Sequence, residues 1–581
     1  MFLRPRAPLN SLSSRIPSAR RWVSSGSASQ GEFDEFDVVI VGGGPAGLAL
    51  ASALASSSCA KEVLKVALIE ASDLSKVRDW SMPADAFSNR VSSLTNLSQG
   101  FLKGGSLSDS TLDIGVWQHV AAERTCPVAN MEIWDGISDA RISFNGMELG
   151  AGRGEGTEAN SMARLTENLN LQRALLRHLE SHPTIRLLDK TKVESIHKGE
   201  QDGVWPVVHL SGGQVLRARL LVGADGFNSP VRSFAGIHSY GWNYPTQAIV
   251  ATLQHSPRTV GSSTTAYQRF LPTGPIAFLP LSPTSSSLVW STRPTLAAAL
   301  TKADPSVLAV MINAAFRLPD VSLRYLHSRI LDVVSAGNAL DPVEIKNEIA
   351  WREESHSIGA HSIYASALVD PASVNVGIPP EGAELLPPLV EGIQVGTMAS
   401  FPLRFNHAES YIGEGKDART VLVGDAAHTI HPLAGQGLNL GLADVECLAR
   451  CIENTVVRGG DIGSYTALMP YARERYLKNH AVMSVCDKLH KIYAAEAGPI
   501  VWARSVGVEV LNELDTLKAG IMMSAGSKHH NTEFSGWNMA AAGIEAVSGG
   551  VRVARAMGDG LRSIAAGALR MAGEAMAKRS Q

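Results

Sequence analysis

The sequence predicts a mixed α/β fold with an antiparallel second subdomain and C-terminal helices, on three observations. Residues 36–41 form a short apolar β-run, followed at once by Gly42-Gly43-Gly44-Pro45-Ala46-Gly47 and an Ala/Leu-rich helical stretch to about residue 55. Residues 242–293 break into short strands between Gly, Pro and Ser turns, which is the spacing of an antiparallel sheet. Val421-Leu422-Val423 reads as a buried strand ended by Gly424-Asp425, and Gly435-Gln436-Gly437 then opens a helix carrying Leu438, Leu440 and Leu442.

The first observation is a Rossmann-like turn in its required setting, with a strand before the glycines and a helix after them. Gly42 permits the tight turn, Gly44 lets a pyrophosphate approach the backbone, and Gly47 lets helix and strand pack. A second strand, residues 66–69, ends at Glu70, an acid placed to take the ribose hydroxyls of an adenosine. In residues 87–94 the guanidinium of Arg90 is able to clamp a pyrophosphate, or else is a solvated charge on a helix. Residues 117–134 look like short strands. Residues 162–182 look like one long amphipathic helix introduced by Thr166-Glu167-Asn168, with Asn168 and Gln172 a turn apart and able to face a cofactor. Strands at about 207–222 lead to Gly223-Ala224-Asp225-Gly226, a second acid at a strand end, and Ser229-Pro230 starts a helix.

These signals divide the chain. A first domain opens over 35–240, with a substrate-side segment at about 95–160, and the antiparallel subdomain covers 241–400. Inside that subdomain residues 331–397 are rich in Pro, Gly and Ser and are expected to be loops or an insertion. Residues 401–526 complete the first domain and add helices, including a long one over 465–493. From 527 to 581 the chain is Ala/Gly-rich, and Val553, Met557, Leu561 and Ile564 beside Arg552, Arg555 and Arg562 read as a loose tail or a basic amphipathic helix.

Composition narrows the class. A chain that is 45 % hydrophobic and 18 % charged is ordinary for a globular protein. No apolar stretch reaches the ~18 residues needed to span a bilayer. Residues 1–31 hold five arginines, many serines and no acid, the composition of a mitochondrial import presequence or of a disordered basic tail. Removing those five positive charges takes the formal charge from −3 to −8, which leaves no nucleic-acid footprint. Five cysteines (Cys59, Cys126, Cys447, Cys451, Cys486) show no Cys-x-x-Cys and read as reduced structural thiols, so no metal is expected.

The stretch from 421 to 444 suits a flavin. Asp425 can accept a hydrogen bond from a ribityl hydroxyl, and the glycines let backbone approach a flat ring. The amides of Leu438 and Asn439 would point at the ring edge, where a helix N-terminus favours the anion of reduced flavin. An ordinary strand-loop-helix crossover is the alternative.

Together the G-x-G-x-x-G, Gly223-Ala-Asp-Gly226 and Gly424-Asp-Ala-Ala-His428 resemble the group A flavin monooxygenases typified by para-hydroxybenzoate hydroxylase, which implies a Rossmann-like FAD-binding domain. Phe87-Ser-Asn-Arg-Val-Ser-Ser93, Gln268-Arg-Phe-Leu-Pro-Thr-Gly-Pro275 and the run from His431 to Asp444 are similar to the ubiquinone-biosynthesis hydroxylases within that family. With the presequence, the resemblance points to their mitochondrial subgroup, which hydroxylates ring carbon 5 of polyprenyl-hydroxybenzoate. It covers residues 35–525.

The resemblance makes Gly42, Gly44, Gly47 and Glu70 the adenosine-diphosphate site of FAD, and Arg90 a pyrophosphate contact. It makes Asp225 part of the wall beside the cofactor, Asp425 the ribityl anchor, and Gly437, Leu438 and Asn439 the hold on the flavin ring. Pro432, with His431 and Gly435, would sit by the reacting flavin carbon. The implied reaction uses reduced FAD and O₂, through a C4a-hydroperoxide, to hydroxylate a prenylated phenol. His428 and His431 are the nearest titratable candidates for activating that phenol, or else core or capping histidines. The implied partners are a ferredoxin and its reductase, with NADPH as the ultimate donor, a ubiquinone-biosynthesis complex, and the matrix side of the inner membrane in peripheral contact. Other readings of the fold are a hydroxylase at another ring position, a prenyl-chain reductase, or a flavin-bearing scaffold without turnover.

Overall fold

The computed structural model describes residues 33–104, 114–146, 161–199, 205–258, 263–369, 380–415 and 418–513. The expected presequence and the Ala/Gly-rich tail lie outside the described residues.

The first layer is a seven-stranded sheet in the order Ile185–Leu188, Val66–Ile69, Asp34–Val41, Val215–Gly223, Pro206–Leu210 and Val193–Lys198, with Thr420–Leu422 added beside Val215–Gly223. The central strands run parallel, so their runs are apolar on both faces: Val38, Val39 and Ile40 are fully buried. The helices Pro45–Ser56, Asn168–Glu180 and Gln436–Val457 pack together over this sheet around one hydrophobic core.

The second layer is a nine-stranded sheet built on the long strand Ser239–His255, which pairs antiparallel with Ser285–Thr292 and Ala399–Ala408. Gly274–Pro280 and Thr265–Leu271 continue it, and Asn130–Asp135 joins in parallel with Thr265–Leu271, so the 95–160 region contributes to this sheet. The helices Pro294–Lys302, Pro305–Arg317, Asp320–Ser335 and Pro342–Ser355 cover its outer face and share a second core with it. A small three-stranded sheet of Val91–Thr95, Ala163–Glu167 and Thr125–Val128 bridges the layers. The helix Tyr465–Tyr493 has the bounds expected of it. No helix among the described residues is long and apolar enough to cross a membrane, and none of their His, Cys, Asp and Glu residues group as a metal site.

Four expectations are corrected. Residues 331–397 are not all loop: they hold the end of Asp320–Ser335, the helix Pro342–Ser355 and the strand Val390–Ile393. Pro342 starts that helix, because Asp341 caps it by accepting from the Val343 amide at 2.9 Å and proline suits a first turn. Ile345, Ile349 and Glu353 then form its buried stripe. The Glu353 carboxylate is cradled by the amides of Ser366, Ala367 and Leu368, which fixes the following segment. Residues 162–182 divide into the strand Ala163–Glu167 and the helix Asn168–Glu180, since Thr166 and Glu167 are enclosed between two partner strands and no periodicity shows there. Residues 117–134 start as two 3₁₀ turns, Val116–His119 and Ala122–Arg124, before the strands. Arg90, finally, sits in a loop ahead of the strand Val91–Thr95, not on a helix.

Candidate active site

Three loops meet at the C-terminal ends of the parallel strands. The first follows Asp34–Val41, and two of its glycines are demanded by the protein itself. Gly42 has φ +110° and a Cβ there would lie 2.2 Å from the Ala224 carbonyl oxygen; a Cβ on Gly47 would lie 1.9 Å from that of Gly42. Gly44 has nothing within 4 Å and lines the cavity, so its lack of a side chain serves whatever approaches from that side. Glu70 reaches back into this loop, accepting from the Gly43 amide at 2.6 Å with one oxygen and from Ser72 with the other.

The second loop follows Val215–Gly223. Asp225 turns toward the helix Pro230–Phe234 and accepts from the Val231 amide at 3.1 Å, while Ala224 and Gly226 line the cavity. The backbone on either side of Asp225 thus forms the wall, while its carboxylate turns away and caps a helix. Burial raises the pKa of that carboxyl, whose other oxygen makes no hydrogen bond among the described residues. Arg232, on the same short helix, donates to the Ala426 carbonyl at 2.7 Å and so ties the second loop to the third.

The third loop follows Thr420–Leu422. Gly424 has φ +59° and packs on Ala46 of the first helix. Its amide, 3.1 Å from an Asp444 oxygen, is held from below. Asp444 also accepts from His428 at 2.6 Å, from Arg475 at 2.9 Å and from Asn479 at 2.9 Å. Burial alone would raise the Asp444 carboxyl, but His428, Arg475 and Asn479 outweigh it and hold it at about 2. His428 is thus a structural partner, removed from the candidates for phenol activation. Asp425, between these fixed groups, is left over: its carboxylate makes no hydrogen bond among the described residues and faces the cavity. The side chain is accessible, yet the protein packed around it is dense enough to raise its pKa.

The helix Gln436–Val457 begins at Gly435, whose φ of +61° makes the αL turn into it. In a helix with this start the Gly435 carbonyl takes the Asn439 amide, so the donors left free are those of earlier residues, Gly437 and Leu438 among them. Leu438 lines the cavity and Asn439 lies just behind it. The Asn439 side chain makes four hydrogen bonds, to Thr95, Ser98, Ser93 and Gly435, and pins the helix start to the Val91–Thr95 strand.

One cavity of about 1510 Å³ joins these loops to the face of the second sheet. Arg90, Asn168, Gln172, Asp425, Pro432 and Leu438 all line it, as do Gly44, Gly435 and Gly437. Glu70 stands behind the first loop and outside the lining. The Arg90 guanidinium makes no hydrogen bond to a described residue, whereas Asn168 accepts from Ser92 at 2.7 Å. His431 borders the cavity and is 1 % exposed; its Nδ1 accepts from the Leu433 amide at 3.3 Å and its Nε2 has no partner among the described residues. Burial, and secondarily His490, pushes its pKa down to about 3, so it is neutral at physiological pH. Motif reading misses Asp444 and Arg232, although Asp444 lies inside the 421–444 run. The signal for Asp444 is a carboxylate on an apolar helix face, where burial is costly unless the charge is paired.

The residues present fit a flavin dinucleotide: a bare backbone at Gly44, an unpaired cation at Arg90, an unpaired acid at Asp425 and free amides at a helix start. Fold and site define an FAD-dependent monooxygenase. The comparisons agree. A model of the FAD binding domain matches residues 91–335 and 393–484, and one of lycopene cyclase protein matches residues 37–96 around the first loop. Two solved structures share the fold. A probable FAD-dependent monooxygenase, pqsL, from Pseudomonas aeruginosa has a TM-score of 0.52 at 19 % identity over 82 % of this chain and 99 % of its own. The p-nitrophenol 4-monooxygenase PnpA from Pseudomonas putida has 0.55 at 16 % over 85 % and 98 %. The mitochondrial ubiquinone biosynthesis monooxygenase COQ6 of Schizosaccharomyces pombe is 36 % identical over 84 % of this chain and 91 % of its own. That of Homo sapiens is 32 % identical over 88 % and 95 %. The chain belongs to this family of ubiquinone biosynthesis monooxygenases.

Proposed function

We propose that this enzyme hydroxylates ring carbon 5 of a prenylated 4-hydroxybenzoate on the route to ubiquinone, in mitochondria, held peripherally at the matrix face of the inner membrane within a biosynthetic complex. The observation that carries the reading is the continuity of the cavity. At one end lie Asp425 and the amides of Gly437 and Leu438; at the other lies an apolar sheet face that includes Met131, Phe144, Leu279 and Val289. Such a space suits a flavin and a ring with a hydrocarbon tail side by side.

A phenol ring is already nucleophilic beside its hydroxyl, and bound FAD supplies an electrophilic oxygen taken from O₂. The chain's own part is placement and electrostatics. The helix start at Gly435 presents free N–H groups and a positive dipole end to negative charge on the ring edge. Asp425 orients the sugar-like chain of the cofactor, Pro432 closes the wall beside it, and the apolar sheet face keeps water from the reacting ring. His431 borders this region as a neutral imidazole and adds no charge to it.

Reduction is assigned to a ferredoxin and its reductase, with NADPH as the ultimate source, on the resemblance to the mitochondrial subgroup; the single dinucleotide fingerprint, taken by FAD, is compatible with that donor without deciding it. Anaerobic stopped-flow separates the cases: full, fast bleaching by NADPH without the partner proteins overturns this donor. The reaction itself is tested by a single turnover of reduced holoenzyme with a prenylated 4-hydroxybenzoate under ¹⁸O₂. Label on ring carbon 5 is expected. Label at another carbon, a saturated prenyl chain, or flavin reoxidation without labelled product would each refute the proposed reaction.

A further inference from the structure

The cavity face of the second sheet carries one amide with nothing to bind. A row across four strands reads Ile133, Gln268, Ala277 and Val289, each in register with the next. Gln268 lines the cavity and is 6 % exposed. Its amide makes no hydrogen bond to any described residue, and its polar atoms open to the cavity without being sealed in protein. On the other walls Gln99 donates to the Leu94 carbonyl at 3.2 Å and Asn168 accepts from Ser92, while Gln172 also lacks a hydrogen bond among the described residues.

The next residue along the strand does something else. Side chains alternate across a sheet, so Arg269 points away from the cavity, where it donates to the carbonyls of Ala315 and Leu318 at 2.9 Å each and finishes the helix Pro305–Arg317. The sheet therefore offers the cavity no charge, but a neutral amide on a rigid strand among Ala266, Ala277, Leu279 and Val289, besides the hydroxyl-bearing Ser291 and Thr429. An amide on an apolar wall without a protein partner is suited to a ligand oxygen that can both donate and accept.

We infer that Gln268 is a specificity residue that binds the ring hydroxyl of the phenolic substrate and fixes the rotation of the ring in the cavity. This rests on the proposed reaction. Oε1 can accept from the phenol hydroxyl and Nε2 can donate to the phenol oxygen, so the amide binds that hydroxyl in either orientation without taking its proton. The carbon delivered to the cofactor follows from which ring edge that grip leaves facing it. A site built around such a hydrogen bond discriminates against a ligand that lacks the hydroxyl.

The test uses the FAD-loaded full chain, titrated by flavin absorbance with 3-prenyl-4-hydroxybenzoate and with its 4-deoxy counterpart. Wild type is expected to prefer the hydroxy ligand by about tenfold or more. Gln268→Met should bring the ratio near one with FAD content and flavin reduction potential unchanged, and Gln268→Asn should fall between. A Gln268→Met protein that keeps the wild-type ratio overturns the inference while wild-type ¹⁸O incorporation still upholds the reaction. A wild-type ratio near one overturns it without any variant. Wild type that binds neither ligand overturns both.

Discussion

Both halves of the molecule anchor irregular backbone with side chains, in the cofactor half through Glu70, Asp225, Arg232 and Asp444, but they differ in the polar groups they leave over. In the substrate half, side chains reach out and satisfy that backbone. Arg269 serves the Ala315 and Leu318 carbonyls, Arg258 that of Leu386, Arg317 that of Pro387, and Glu353 the amides of 366–368. In the cofactor half the loops close on one another through glycines, and the polar groups left over, Asp425 and the amides of Gly437 and Leu438, face the cavity. Satisfied polar groups mark structure and unsatisfied ones mark a ligand.

The largest effect that tests this difference lies within one loop. Gly47→Val should cost the fold several kcal/mol and all FAD, because its side chain begins 1.9 Å from the Gly42 oxygen. Gly44→Ala should leave the melting temperature unchanged and weaken FAD alone, since no protein atom lies within 4 Å. Thermal melts and bound-flavin absorbance check both; a Gly44→Ala protein with unaltered FAD affinity would show that this glycine serves no pyrophosphate.

The aspartates divide the same way. Asp444→Asn breaks a buried network with His428 and Arg475 and should destabilise by about 3–5 kcal/mol. Because the folded pKa of Asp444 is depressed to about 2, its contribution is complete above the unfolded value near 3.8 and is lost as pH falls through that window. Asp425→Ala should keep stability and lose about tenfold in FAD affinity. Urea melts beside flavin titrations decide it, and equal losses of stability in both variants would end the distinction.

Across the seam, Glu353→Gln should cost about 2 kcal/mol by weakening the cradle of 366–368, and leave FAD content intact. Loss of flavin from that variant would mean the halves are energetically one. Acid acts on both halves together. Burial pushes His178, His327 and His407 down to about 4 and His431 to about 3. Their folded pKa values lie below the unfolded 6.5, so stability is full above that pH and falls below it, by about 2 kcal/mol per histidine at pH 5. His327→Leu should therefore raise the melting temperature at pH 5 relative to its effect at pH 8, read by calorimetry over a pH series.

Legibility in the sequence follows the same division. The glycine loops, Glu70, Asp425 and the four strands of 242–293 are readable because each constraint lies within a few residues of its neighbours and repeats a local pattern. The helix Pro342–Ser355 is hidden because a proline without its Asp341 cap in view reads as a breaker. Asp225 and Asn439 sit where the motifs place them, but what their side chains engage, the Val231 amide and the Val91–Thr95 strand, is brought up by tertiary packing and is not legible locally. Arg232 and Gln268 carry no local signal for what they do, since one acts on a carbonyl 194 positions away and the other is defined by having no partner among the described residues.

The smallest effect is the sharpest, because protein and ligand should pull it in opposite directions. Gly437 lies in the first turn of Gln436–Val457 without a positive φ, and a Cβ there would meet only Ile430 at an ordinary 3.6 Å. Nothing in the chain forbids alanine. Helix propensity favours it, so the flavin-free Gly437→Ala protein should be more stable by up to about 0.5–1 kcal/mol. The same Cβ borders the cavity at the helix start that steadies negative charge on the ring. With FAD bound, the variant should hold the cofactor more weakly and show a lower reduction potential, because the anionic reduced form loses its close approach to the amides. Melting curves of flavin-free and loaded protein, with a spectroelectrochemical titration, read the two signs separately. Stabilisation of both forms by the same amount, with an unchanged potential, would show that the ring does not rest on this helix start.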